Sequence, residues 1–244
     1  MKNIKLIIEY DGMNFSGWQT QSNARAVQDV VKDAIRQLTG EEVDLTGSSR
    51  TDAGVHALGM SANFHTNSGI PPDRFAYALN TVLPEDVVIK RSEEVNMGFH
   101  ARFGAKGKKY RYLILNSLYP SALLRYRAYH IQHPLDFEAM HKATFHFLGK
   151  HDFSAFRASG SEVPTSERTI KDVSLIKKDD ILEFEITGDG FLYNMVRIIA
   201  GTLVDVGKGR IKPDDIPTII ADKDRRKAGR TAPAHGLYLV EVYY

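Results

Sequence analysis

Ala26-Val27-Gln28-Asp29-Val30-Val31-Lys32-Asp33-Ala34-Ile35-Arg36-Gln37-Leu38 is the stretch that decides the fold. Val27, Val30, Val31, Ala34, Ile35 and Leu38 recur at helical spacing, and Gly40 follows as a stop. Working outward, residues 5–10 are rich in β-formers and end at the turn pair Asp11-Gly12, while residues 43–46 and 57–65 read as short strands. Pro71-Pro72 opens a second helix over residues 73–79, and residues 86–95 read as a strand. The order is β-α-β-β-α-β.

The second half repeats that order. Residues 109–115 form a strand, and residues 137–148 a helix with Met140, Ala143, Thr144 and Phe147 on one side. Residues 170–176 and 182–187 make a hairpin around Lys178-Asp179-Asp180. Residues 190–206 form a helix, a shorter one follows Pro213, and residues 237–243 close as a strand. The expected fold class is α+β: two ferredoxin-like or RRM-like β-α-β-β-α-β halves whose mainly antiparallel sheets adjoin around a central cleft. The halves are placed at residues 1–105 and 106–244. Residues 157–167, rich in Ser, Thr, Gly and Pro, read as a mobile surface loop.

Composition excludes more than it assigns. The chain has no cysteine, which removes disulfides, thiolate metal sites and cysteine nucleophiles. The first ten residues are too short and too charged for a signal peptide, and no apolar run approaches the ~20 residues that span a bilayer, so no membrane partner and a cytoplasmic location are expected. Net charge is only +2, but the cations are segregated. Arg102, Lys106, Lys108, Lys109 and Arg111 form one cluster, Arg125 and Arg127 a second, and Lys223, Arg225, Arg226, Lys227 and Arg230 a third. Together they suit an acidic polymer, although solvated loops and helix faces explain any one of them equally well.

Chemistry concentrates in Gly47-Ser48-Ser49-Arg50-Thr51-Asp52-Ala53-Gly54-Val55-His56-Ala57. This loop joins two strands and sets one carboxylate and one guanidinium among small residues, which let substrate approach the backbone closely. Asp52 suits a nucleophile held against an electrophilic carbon, or simply caps the turn at Ala53-Gly54. In Lys108-Lys109-Tyr110-Arg111-Tyr112, alternation puts both tyrosines on one strand face, where a ring stacks on a base or fills a core. Gly190, Asn194, Arg197 and Gly201 share a helical face, from which Arg197 reaches into a cleft or lies on the surface. No histidine set has zinc spacing, no glycine-rich stretch has P-loop or dinucleotide spacing, and nothing in the sequence asks for a cofactor.

These motifs converge on one family. Tyr10-Asp11-Gly12-Met13-Asn14-Phe15-Ser16-Gly17-Trp18-Gln19-Thr20-Gln21 resembles the N-terminal motif of the tRNA pseudouridine synthase A family, and residues 50–57 resemble its catalytic loop. Lys109-Tyr110-Arg111-Tyr112, Gly190-Phe191-Leu192-Tyr193-Asn194-Met195-Val196-Arg197 and Ala232-Pro233-Ala234-His235-Gly236-Leu237-Tyr238-Leu239 resemble its tyrosine strand, arginine helix and C-terminal motif, in the family's order.

The resemblance implies a reaction free of metal and cofactor at uridines 38, 39 and 40 of the tRNA anticodon stem-loop. It implies Asp52 as the nucleophile, with attack at C1′ of the ribose or C6 of the base both open. Tyr110 would contact the uridine and act as general base, and Arg197 would pair with the Asp52 carboxylate. Arg50 would help displace the target base and Leu237 pack against it. The resemblance also implies a homodimer. A non-catalytic RNA-binding protein with duplicated RRM-like halves is the rival reading, but it has no use for the 50–52 loop and lacks RNP-type aromatic motifs.

Overall fold

The computed structural model describes residues 1–160 and 164–244; part of the loop expected at 157–167 therefore lies outside the described residues. The chain divides into two compact units, Met1–Lys106 with Tyr238–Tyr244, and Gly107–Leu237.

The first unit begins with β1 (Lys2–Tyr10), whose alternating residues Ile4, Leu6, Ile8 and Tyr10 are buried. Helix α1 (Val27–Thr39) follows, and its buried residues Val27, Val31, Ala34 and Ile35 are those that the helical spacing selects. Its stop is physical: Gly40 sits in the left-handed region at φ +73° and its N–H bonds the Arg36 carbonyl. After the two-residue strand β2 (Thr46–Gly47) come β3 (His56–Thr66), helix α2 (Phe75–Asn80) and β4 (Val87–Val95). Both β3 and β4 lie antiparallel to β1, and β2 lies antiparallel to β3. The order β4-β1-β3-β2 is that of a split β-α-β unit with its partner strand inserted, as the element order predicts. The core includes Phe64 and Phe75 in edge contact, with ring centroids 5.5 Å apart.

The second unit opens with β5 (Gly107–Asn116), and the short β6 (Tyr129–Ile131) pairs parallel to it. Helix α3 (Phe137–Thr144) is capped by the Asp136 carboxylate on the Ala139 N–H, and it leads through a 3-10 turn to β7 (Gly149–Asp152). The expected hairpin is β8 (Glu167–Lys178) with β9 (Ile181–Gly188), turning at Asp179 with φ +52°. Antiparallel pairing gives the order β5-β9-β8-β7. Helix α4 (Met195–Gly207) packs on α3 and β5, and α5 (Ile216–Asp222) follows. The last strand, β10 (Leu237–Tyr243), groups from Tyr238 onward with the first unit, where it pairs parallel to β3 at Tyr238–His56 and Leu239–Ala57.

The α+β class and the mainly antiparallel sheets are as the sequence predicts. Differences of detail have local causes. The strand expected at 43–46 shrinks to Thr46–Gly47, and the helix expected from residue 190 starts only at Met195, because Asn194 stands at φ +60°. Strands β6 and β7 go unread because three or four residues carry too little periodicity.

Candidate active site

The 50–57 loop and the 10–21 segment are one construction within the first unit. The Thr51 carbonyl accepts from the Trp18 N–H at 3.1 Å, and the Gly54 N–H reaches the Phe15 carbonyl at 3.3 Å. The buried hydroxyls of Tyr10 and Thr51 bond at 2.7 Å. Two glycines make this approach possible. A Cβ on Gly12 would stand 2.0 Å from the Val55 carbonyl oxygen, and one on Gly17, which has φ +101°, would stand 2.5 Å from the Thr51 carbonyl oxygen. Helix α1 has no side-chain cap; instead its first N–H groups, at Val27 and Gln28, donate to the carbonyls of Gly17 and Trp18. The same segment therefore caps the helix and fixes the loop.

His56 completes the floor. It is buried, stacks on Tyr238 with centroids 4.7 Å apart, and its Nδ1 lies 3.1 Å from both the Gly12 nitrogen and Asp11 Oδ1. The unprotonated Nδ1 accepts from Gly12; carrying a proton, it donates to Asp11. Ser48, Ser49 and Thr51 are buried, whereas Asp52 is half-buried and Arg50 exposed. The loop thus presents its carboxylate and guanidinium from a backbone tied on several sides. A pocket of about 150 Å³ flanks it, with Trp18, Gly47, Arg50 and Arg102 among its lining residues.

Tyr110, Arg197 and Leu237 belong to the second unit. Tyr110 is half-buried on β5 opposite Ile186, and its ring meets Phe191 edge-on at 5.1 Å. Tyr112, on the same strand face, is fully buried and donates to the Pro233 carbonyl at 2.7 Å. Burial pushes its phenol well above the ordinary 10, against a smaller opposing pull from Arg197. Tyr112 thus fills the core, whereas Tyr110 keeps part of its surface exposed.

Arg197 lies in the first turn of α4. Its Nε donates to the Ala232 carbonyl at 2.8 Å and its Nη1 to Asn194 Oδ1 at 2.7 Å, while the Ala232 N–H bonds the Arg197 carbonyl at 3.1 Å. Glycine again permits the approach, since a Cβ on Gly201 would stand 1.7 Å from the Arg230 carbonyl oxygen. The 190–197 and 232–239 motifs are therefore also joined. Leu237 is buried.

The basic clusters are less free than their sequence suggests. Lys109 and Arg111 pair with Glu185 across β9, at 2.6 and 2.9 Å, because cross-strand neighbours on one sheet face come together. In the third cluster Lys223 pairs with Asp152, Arg226 with Asp224 and Lys227 with Asp222, and Arg225 donates to the Gly229 carbonyl. Acids that lie close to this cluster thus pair with three of its five cations, all at the surface, where such pairs are weak and leave the cations their charge. No group of three or more potential metal ligands occurs among the described residues. No helix there is long and apolar enough to cross a membrane.

Residues 6–104 and 143–244 match the family model described as tRNA pseudouridine synthase. The chain belongs to that family, which places its activity among the isomerases. It is 68% identical over 244 residues to the tRNA pseudouridine synthase A of Acetivibrio thermocellus, with all of both chains covered. It is 55% identical to that of Ruminiclostridium cellulolyticum and 54% identical to that of Caldicellulosiruptor saccharolyticus, again with full coverage of both chains. Arg50, Asp52, Arg197 and Leu237 fall inside the matched stretches and Tyr110 falls in the gap between them.

Proposed function

We propose that this synthase isomerises uridines 38, 39 and 40 in the anticodon stem-loop of tRNA, with Asp52 as nucleophile. In the reaction the N1–C1′ bond breaks and a C5–C1′ bond forms. The hydrogen on C5 leaves to solvent and N1 takes up a proton, so no oxidant or reductant is needed. Asp52 opens the exchange at C1′ or C6, Tyr110 receives the C5 proton as general base, and Arg197 keeps the carboxylate ionised. Arg50 helps to displace the target base from its stack, which costs a few kcal/mol, and Leu237 packs against it.

The observation that carries this reading is the construction of the 50–57 loop. A turn-capping aspartate needs only its carboxylate to accept from one backbone N–H, yet here Gly12, Phe15, Gly17 and Trp18 bond or crowd the backbone of residues 51–55, and Tyr10 bonds the Thr51 hydroxyl. Such restraint fits a carboxylate that must meet a reacting carbon in a fixed geometry. A homodimer and a cytoplasmic setting, where tRNA is at hand, complete the reading.

The test is release of tritium from tRNA labelled at uridine C5. Transcripts with uridine only at 38, 39 or 40 are expected to release label, and a transcript with cytidine at all three is expected to release none. Release from the last substrate at the same rate would overturn the assigned positions.

A further inference from the structure

The turn that follows β4 is not used by the reaction described above, yet the first unit devotes buried polar groups to it. Asn3 and Asn63 are 0% and 4% exposed. The Asn3 amide donates to the carbonyls of Asn96 and Phe99, both at 3.0 Å. The Asn63 amide donates to Asn3 Oδ1 at 3.0 Å, and its own Oδ1 accepts from the Ala101 N–H at 2.8 Å. Tyr244 donates its hydroxyl to the Ala101 carbonyl at 2.8 Å. Burying an amide pair costs free energy unless every polar atom finds a partner, and a pair of aliphatic residues would fill the same space without that cost. What these asparagines add is a fixed backbone at residues 96–101.

That backbone presents side chains that the protein itself does not use. Phe103 is 79% exposed and stacks on His100, with centroids 4.3 Å apart and planes 28° from parallel. The Arg102 guanidinium lies 5.7 Å from the Phe103 centroid and, among the described residues, makes no hydrogen bond or ion pair. Arg102 also lines the pocket beside the Asp52 loop together with Arg50. Asp44 lines it too, and its carboxylate opposes an anion, so an incoming phosphate falls to the guanidinium groups.

We propose that residues 96–104 form a second RNA-contact element, in which Arg102, beside the Arg50 that meets the target base, holds a backbone phosphate of the tRNA and Phe103 stacks on an unpaired base. The inference rests on the tRNA-modifying function proposed above. A cation beside an exposed, pre-oriented ring suits single-stranded nucleic acid, because the ring tolerates any base and the guanidinium tracks the backbone. His100 stiffens the arrangement, its Nδ1 accepting from the N–H groups of Arg102 and Phe103, both at 3.2 Å.

The test measures affinity for an unlabelled tRNA transcript across a salt series, with thermal unfolding as the control for folding and C5 tritium release by the wild type alongside. Arg102→Gln is expected to lower the slope of log affinity against log salt by about one, and Arg102→Lys to restore it. Phe103→Ala is expected to weaken binding by about tenfold with little change in slope. All three variants are expected to melt close to the wild type, since both side chains are exposed and outside the core. Tritium release by the wild type together with unaltered affinity and slope in Arg102→Gln and Phe103→Ala would overturn this proposal and leave the function standing. A wild type that neither binds tRNA nor releases label would overturn both.

Discussion

Gly17→Ala perturbs the Asp52 loop without touching its side chains. Gly17 holds φ +101°, and an added Cβ would lie 2.5 Å from the Thr51 carbonyl oxygen, 3.2 Å from the Asp52 carbonyl carbon and 3.3 Å from the Ala53 nitrogen. Ordinary contact begins at 3.4 Å, so the loop must retreat by about 0.9 Å at its nearest point. A misplacement of ~1 Å at a reacting group costs on the order of 100-fold in rate. The strained φ adds about 1–3 kcal/mol of instability. The expected result is a fall in kcat of about two orders of magnitude in a folded protein that still binds tRNA, read by tritium release and a binding isotherm. Gly40→Ala is the matched control. Gly40 has φ +73° at the end of α1 and no atom within 4 Å of its Cβ position, so it shares the backbone strain but not the steric push. It is expected to lower stability by about 1 kcal/mol and leave kcat alone. A folded Gly17→Ala enzyme with wild-type kcat would refute the claim that the 10–21 segment positions the nucleophile.

Other expectations follow from the second unit. Arg197→Lys removes the donors to Ala232 and Asn194 and is expected to lower kcat at least tenfold, because an ammonium lacks the planar fork that serves both acceptors; steady-state kinetics checks it. Gly201→Ala drives a Cβ to 1.7 Å from the Arg230 carbonyl oxygen and is expected to cost about 1–3 kcal/mol, or several degrees in Tm by calorimetry. Burial alone would raise the Asp152 pKa, but hydrogen bonds from Lys223, Ser154 and Ser166 hold it well below the ordinary 3.8. That depressed carboxylate stabilises the fold above pH 3.8 and loses its contribution as pH falls toward its folded-state pKa. Asp152→Asn is therefore expected to lower Tm at neutral pH and to flatten the acid limb of the stability profile.

The elements were legible where periodicity was long. Residues 26–38 show a complete amphipathic stripe, and the helix runs from Val27 to Thr39. Residues 237–243 became a strand with those bounds. Elements built by context were not legible. β7 exists because β8 offers an edge, and α4 begins late because Asn194 adopts a left-handed conformation. Sequence reading singled out Arg50 and Asp52, but it missed the service of Gly12, Gly17 and Tyr10 to the loop, since close approach between distant segments leaves no local pattern. Small residues in both segments were the available signal. The 96–104 turn was missed for a similar reason: Asn3 and Asn63 sit inside strands, where an isolated amide says nothing of its partner. The acids beside the third cluster, Asp152, Asp222 and Asp224, were not legible in the cation pattern, because ion pairing depends on where the fold brings the carboxylates.

The central claim is that Asp52 is the nucleophile, and the direct measurement compares C5 tritium release by wild type and Asp52→Asn on the same tRNA. The substitution keeps size and shape while removing the charge. The account predicts release by the wild type, none by the variant, and tRNA affinity within a few-fold for both. Release by a folded Asp52→Asn protein at the wild-type rate would reduce Asp52 to a turn residue and contradict the account.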